Sequence, residues 1–400
     1  MKVPVVYTAV FAMLFQQALS TMSGLTIPVL APPISAETGL SPSLVGVYTA
    51  SLYGGSMVSS LAGGGFLLRY GALRVSQACL LVVATGLLIN LPGYIYLFLL
   101  GALVTGLGGG PSTPASSQIL ARYTNPSTAP FIFSIKQTGV PVGGVIAGAL
   151  LPVFVDLFGW RGALVCAASM AFVFALILQP FRAEFDSDRQ PERSLRLTDL
   201  RVTLGAVLRD ARVRELAFGL FAFTGLQLAF ASFFISFLSL GMDWSLTDAG
   251  IAYSIAMAAG IAGRLFWGWI GSVYVPPVVL LSLLGFAMGA ACMTIGLIDM
   301  SWQKPAVWAI ALVYGATGIG YQGVLLAEIA RISPPGMAGV VTGGAVFFAY
   351  VGMITFPGSF GLILALTDSY QAAFAILGVI PIIVGAMLFV SAWRQRGQQT

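Results

Sequence analysis

Residues 181–215 read FRAEFDSDRQPERSLRLTDLRVTLGAVLRDARVRE, the longest polar stretch in a 400-residue chain. On both sides the sequence is a succession of apolar runs of about 20 residues, the length a helix needs to cross a bilayer. Twelve such runs can be marked, at 5–30, 44–68, 74–91, 94–119, 130–155, 161–181, 215–240, 248–272, 276–298, 305–329, 337–366 and 371–393. The connections between them are as short as LPG (91–93) and TDSY (367–370). The polar stretch falls after the sixth run. The expected organisation is an N-terminal bundle of six helices over 1–181, a linker over 182–214, and a second six-helix bundle over 215–400.

Composition supports an all-α polytopic membrane protein. The chain is 58% hydrophobic and 8% charged, with a mean hydropathy of +0.93. Soluble domains carry roughly 25% charged residues, and 33 charged side chains could not cover a water-soluble fold of this size. The first run, VPVVYTAVFAMLFQQALSTMSGLTIPVL, is too long for a signal peptide and is read as a retained span. Cys79, Cys166 and Cys292 all sit in apolar runs, so neither a disulfide framework nor a metal site is expected. The chain has no histidine, which removes histidine relays, bases and metal ligands together. No cofactor is expected.

The basic residues orient the chain. With the N-terminus inside, Lys2, Arg69, Arg74, Arg122, eight arginines of the linker, Arg264, Arg331, Arg394 and Arg396 all face the cytoplasm, 16 of the 19 Lys and Arg. Arg161 and Lys304 lie outside, and Lys136 lies within a span. This is the positive-inside bias, and it puts both termini in the cytoplasm of a cell whose compact loops fit a bacterial inner membrane. In the linker, Leu200, Leu204, Val207 and Leu208 share one helical face. Two readings of 198–214 are open: an interfacial helix on the inner leaflet and a solvated connecting helix.

The two halves repeat. SLVGVYTASLYGGSMVSSLAGGGFLL (43–68) matches SLTDAGIAYSIAMAAGIAGRLFWGWI (245–270), aligning Gly46 with Gly250 and Gly64 with Gly268. TGLGGGPSTPASSQILARYTNP (105–126) matches TGIGYQGVLLAEIARISPP (317–335), each a glycine-rich helix ending in Ala-Arg before a proline turn. Parallel repeats with a site near the bilayer midplane are a transporter architecture.

On these residues the chain resembles the major facilitator superfamily over essentially its whole length. The loop between spans 2 and 3, GGFLLRYGALR (64–74), keeps Gly64, Arg69 and Gly71 of the family pattern, but Leu68 stands where the family has aspartate. The fourth-span pattern survives as ALVTGLGGG (102–110), with Ala102 in place of the arginine, and the fifth-span pattern as GVPVGG (139–144). SIKQTGVPVGG together with GYQGVLLAEIAR is similar to a bacterial branch of cyanate-permease-like permeases. The resemblance implies two rocking six-helix halves with spans 1, 4, 7 and 10 around a central cavity. It also implies that the missing loop aspartate leaves Arg69, Arg74 and Arg122 without their usual acidic partner, and no substitute is evident in the sequence.

Candidate substrate residues follow from polarity inside those spans: Gln17 and Thr21 on span 1, Thr113 on span 4, Gln227 on span 7, and Tyr321 and Gln322 on span 10. A lone Ser or Thr is as readily explained by a bond to its own helix. A buried amide has four bonding positions to satisfy and is the stronger candidate. Lys136, with Gln137 beside it, sits in FIFSIKQTGVPVGG (131–144). A charge at mid-membrane costs roughly 2.5–3.5 kcal/mol on insertion scales, so it needs a compensating partner. Two readings are open: an anionic substrate, or an ion pair with Glu328, the one acidic residue read inside a span. Arg264, Glu328 and Arg331 form a second candidate cluster, bracing the gate of the C-terminal half. Glycine strings without a preceding strand or a following Gly-Lys-Ser exclude a phosphate loop.

The expected function is secondary transport of a small solute, an organic or inorganic anion, coupled to protons or to a counter-substrate, by a monomer that binds lipid and no nucleic acid. Efflux of amphipathic drugs or metabolites is the alternative. A membrane enzyme or a receptor is disfavoured, because catalytic groups and an output domain are lacking.

Overall fold

A computed structural model describes residues 5–123, 132, 135–190, 192, 205, 207–333 and 338–397. Every regular element among them is helical. Span 1 is α1 (Val5–Thr38). Spans 2 and 3 are α2 (Leu44–Tyr70) and α3 (Ala72–Ile89). Span 4 comprises α4 (Ile95–Gly109) and α5 (Ser112–Tyr123). Spans 5 and 6 run together as α6 (Gly139–Ile177), and a short α7 (Arg182–Phe185) follows.

The second half contains α8 (Ala211–Ser236), α9 (Leu246–Val273) and α10 (Pro277–Ile295) as spans 7 to 9. Span 10 comprises α11 (Lys304–Gly318) and α12 (Gln322–Ile332). Spans 11 and 12 are α13 (Ala338–Thr367) and α14 (Tyr370–Gly397). These elements make up the twelve spans, in two compact units, one over 1–42 and 48–198 and the other over 43–47 and 199–400.

Several boundaries differ from the sequence expectation. α1 continues eight residues beyond residue 30, through Pro28, Pro32 and Pro33. Proline is tolerated in membrane helices because neighbouring helices take up the freed carbonyls. Spans 5 and 6 join without a loop, and the chain turns only at Gly159, whose φ of 67° suits glycine. Span 7 starts at Ala211 rather than 215, because the Asp210 carboxylate accepts from the Arg212 and Val213 N–H groups at 2.8 and 3.1 Å and caps the helix. Of the proposed interfacial helix, residues 207–209 are helical; Leu200 and Leu204 lie outside the described residues.

Each unit is built the same way. In the first, span 1 packs along span 5, and span 3 packs on spans 4 and 6. In the second, span 7 packs along span 11, and span 9 on spans 10 and 12. Spans 2 and 4 meet where Gly106 presses on the Leu52 carbonyl, and spans 8 and 10 meet where Gly315 presses on the Ala256 carbonyl. Leu52 and Ala256 are equivalent in the sequence repeat. A β-carbon at either glycine would collide with a backbone oxygen, so both positions depend on glycine. Close backbone approach through small residues is how helices associate where lipid removes the hydrophobic drive.

At each contact one of the two spans is broken. Span 4 is interrupted at 110–111 and span 10 at 319–321. A break frees backbone carbonyls that lipid cannot satisfy. In the first unit, Ser56 and Ser59 of span 2 donate at 3.1 and 3.5 Å to the Gly106 carbonyl, one turn before the break, which also keeps its helical bond from the Gly110 N–H at 3.0 Å. In the second, Trp267 of span 8 donates to the Ala316 carbonyl at 2.7 Å and Arg264 donates to that of Ile319 at 3.2 Å.

These contacts predict unequal tolerance of glycine replacement. Gly106→Ala and Gly315→Ala should each lower thermal stability in detergent, by about 1–3 kcal/mol for overpacking. Gly54→Ala, a helical position with nothing within 4 Å of the added carbon, should leave it unchanged or raise it, as read by fluorescence-monitored unfolding.

Candidate functional site

In the first unit the polar residues of spans 1 and 4 face each other. Gln16 donates to Ser112 Oγ, and Gln17 Oε1 accepts from Thr113 Oγ1 at 3.1 Å. Adjacent residues on one helix therefore meet adjacent residues on the other. Span 5 closes against the same part of span 1. Gly139 lies over the Leu14 carbonyl and the Gln17 side chain, and Gly143 over Thr21. One turn before Gly139 is Lys136, only 1% exposed. Its Nζ donates to Gln137 Oε1 at 3.4 Å, a long bond. Among the described residues no carboxylate lies within ion-pair distance of it.

The second unit is aromatic where the first is amidic. Tyr321 is fully buried, its hydroxyl 2.7 Å from Thr224 Oγ1 on span 7 and its ring edge-on to Phe223 at 5.2 Å. Phe230 stacks on Tyr314 at 4.1 Å, and the Tyr314 hydroxyl donates to the Leu226 carbonyl. Gln227, also on span 7, is half-buried. Gln322 accepts from Arg264 Nη2 at 2.7 Å, so that amide serves the arginine at the break in span 10.

Glu328 is 2% exposed, and both its oxygens accept from Arg331 at 2.7 Å. Arg331, three residues on, keeps 66% of its side chain in contact with solvent. Of the expected three-residue cluster, Arg331 holds Glu328, and Arg264 reaches Gln322 and the Ile319 carbonyl.

The first unit's arginines also differ from expectation. Arg122 has an acidic partner, Asp188, at 2.8 Å, and further bonds to the Phe185 carbonyl and Ser187 Oγ at 2.9 and 2.8 Å. The Arg74 backbone N–H donates to Asp186 at 3.0 Å, and the Arg69 guanidinium lies over the Tyr70 ring. The two cations at the opposite ends of the spans are paired as well: Arg161 with Glu37, whose other oxygen accepts from Trp160 at 2.7 Å, and Lys304 with Asp248 at 2.6 Å. Asp186, Asp188, Glu37 and Trp267 were not singled out in the sequence, because each meets a partner dozens of residues away.

The profile described as Major Facilitator Superfamily matches residues 11–357. The chain is 22% identical over 376 residues to the hexuronate transporter of Bacillus subtilis (strain 168), covering 88% of this chain and 86% of that protein. It is 23% identical over 362 residues to a probable hexose phosphate transport protein of Chlamydia trachomatis, covering 80% and 76%. Among solved structures, the nucleoside transporter NupG superposes with a TM-score of 0.77 at 14% identity over 96% of this chain and 99% of that one.

The burial of Glu328 against an exposed partner gives a test by double substitution. Arg331→Ala leaves the carboxylate unpaired, and should lower the unfolding midpoint by roughly 2–4 °C. Adding Glu328→Gln should recover most of the loss, because the remaining group is neutral. Equal midpoints for Arg331→Ala with and without Glu328→Gln would show that the ion pair does not hold the carboxylate.

Proposed function

The chain belongs to the Major Facilitator Superfamily and is a secondary transporter of a small solute, and from that premise we propose that the solute is an organic anion whose negative charge is met by Lys136. The observation that carries this reading is the buried ammonium with an amide as its bonding partner. Burying a charge without a counter-charge is costly, and such groups neutralise, pair or bind a ligand. An incoming carboxylate or phosphate supplies the counter-charge and gains strength from the low surrounding dielectric. Glu328 is already engaged by Arg331 through both its oxygens.

Gln17, Thr113 and Gln137 are the donors and acceptors nearest along the chain of contacts, and in this reading they address the polar body of the solute. Thr21 lies on span 1 with Gln17, and Gln227, Tyr321 and Gln322 are the polar residues the second unit offers in this reading. Two of the similar proteins carry names of anionic cargo, a hexuronate and hexose phosphate, which supports an anion. In the proposal the protein acts as a monomer in the bacterial inner membrane with both termini and the linker in the cytoplasm, where 16 of its 19 basic residues then lie. Exchange against a second anion, or symport with protons, completes the cycle.

A ligand that binds the native state raises its stability in proportion to the logarithm of its concentration over Kd. A thermal-shift panel of small carboxylates, hydroxylated carboxylates, sugar phosphates and lipophilic cations should give shifts with one of the anions. Lys136→Gln should weaken that anion by about 10- to 100-fold, the range for losing a charge-assisted hydrogen bond. With no ligand, the same substitution should raise the midpoint, because it removes an unpaired buried charge. Anion shifts that survive Lys136→Gln, or shifts confined to lipophilic cations, would overturn the proposal and favour efflux of amphipathic compounds.

A further inference from the structure

Helix α3 begins without a cap of its own. Its N-cap position is Gly71, at φ 95°, which offers no side chain to the first turn. The orphan donors are met from outside: the Leu73 and Arg74 N–H groups donate to Asp186 Oδ1 and Oδ2 at 2.7 and 3.0 Å. The carboxylate sits so close that a β-carbon at Gly71 would come within 2.6 Å of the Asp186 Cβ. Asp186 is 5% exposed, and burial pushes its carboxyl up from the usual range while the two N–H bonds pull it back. A carboxylate at a helix N-terminus is favoured by the bonds and by the dipole.

The rest of the same segment is fastened to span 4. Asp188, Ser187 and the Phe185 carbonyl all take bonds from Arg122. The Tyr123 hydroxyl reaches Glu184, and Phe185 is 1% exposed with its ring edge-on to Tyr123 at 5.4 Å. Seven residues following span 6 thus join the start of span 3 to the end of span 4.

We infer that Arg182–Asp188 is a strap that locks the arginine-rich ends of spans 3, 4 and 6 into one body, with Asp186 a positioning residue for transport that takes over from the linker side the bracing lost with Leu68. The transport part rests on the proposed function; the strap itself does not. Arg122 bonds to the strap and Asp186 to α3, so a strap and a local cap differ in one respect. In a strap, loosening Arg122 frees Asp186 and unprotects the first turn of α3 at a distance.

Amide hydrogen exchange on the full-length protein reads this directly, with no substrate needed. Asp186→Asn should speed exchange at 72–75 about fivefold, as expected for a lost cap. Arg122→Gln and Asp188→Asn should do the same at 72–75, besides 118–123. Unchanged exchange at 72–75 in both of those variants would reduce Asp186 to a local cap and overturn the strap. For transport, Asp186→Asn should lower the rate of uptake of the bound anion into proteoliposomes at least about fivefold while its Kd from thermal shift stays within about twofold, with Asp186→Glu restoring part of the rate. Wild-type rates in Asp186→Asn, or a Kd that weakens in step with the rate, would overturn the positioning role. Should Asp186→Asn fail to fold, Arg122→Gln and Asp188→Asn carry the same two measurements. Failure of every anion to bind would leave the exchange data standing and would count against the proposed function alone.

Discussion

Lipid offers a backbone carbonyl nothing to bond to, and the fold answers that constraint where span 10 is broken. Spans 4 and 10 are both interrupted, and each takes side-chain bonds beside its break from the preceding even-numbered span. Serines supply them in the first unit, and an arginine with a tryptophan in the second. The covering groups can reach only because glycine lets the helices touch at Leu52 and Ala256. Packing and polar satisfaction are therefore one arrangement. It was solved twice, with different side chains, on the same repeated backbone.

Much of this was legible in the sequence. Twelve spans follow from run length alone, the 6+6 division from a single polar segment, and the repeat from SLVG against SLTD. What escaped were features governed by distant contacts. Span 1 was read as ending at residue 30, yet α1 passes through Pro32 and Pro33 to Thr38. Glycine 159 read as part of an ordinary connection, and it turns two spans that otherwise run on as one helix. Arg122 read as lacking an acidic partner, because Asp188 is 66 residues away and the sequence shows only that an aspartate exists there. In the candidate site the residue types on spans 1 and 4 were readable, whereas their pairing, Gln16 with Ser112 and Gln17 with Thr113, is a property of helix rotation.

The buried charges divide by what surrounds them. Glu328 has its compensation three residues away on its own helix, a local arrangement that persists whatever the rest of the protein does. Lys136 has an amide. In the proposed function, this shortage of counter-charge destabilises the empty protein and is repaid by the anion, which concentrates binding energy in its charged end. The Arg161–Glu37 and Lys304–Asp248 pairs are exposed and screened, and contribute little to stability.

The strap also changes how long the leash between the two units is. Read from hydropathy, the polar segment spans 181–215. Its first residues are bonded into one unit up to Asp188, and at the far end Asp210 caps α8 while Arg214 reaches back to the Leu208 carbonyl at 3.1 Å. The stretch of chain between these two bonded ends is 189–207. At about 3.3–3.6 Å per extended residue that sets an upper reach of roughly 65 Å, against about 120 Å for the whole polar segment. A protein cut within 189–207 would keep both anchors intact on their own fragments, whereas one cut at 182 would carry the strap away on the wrong half.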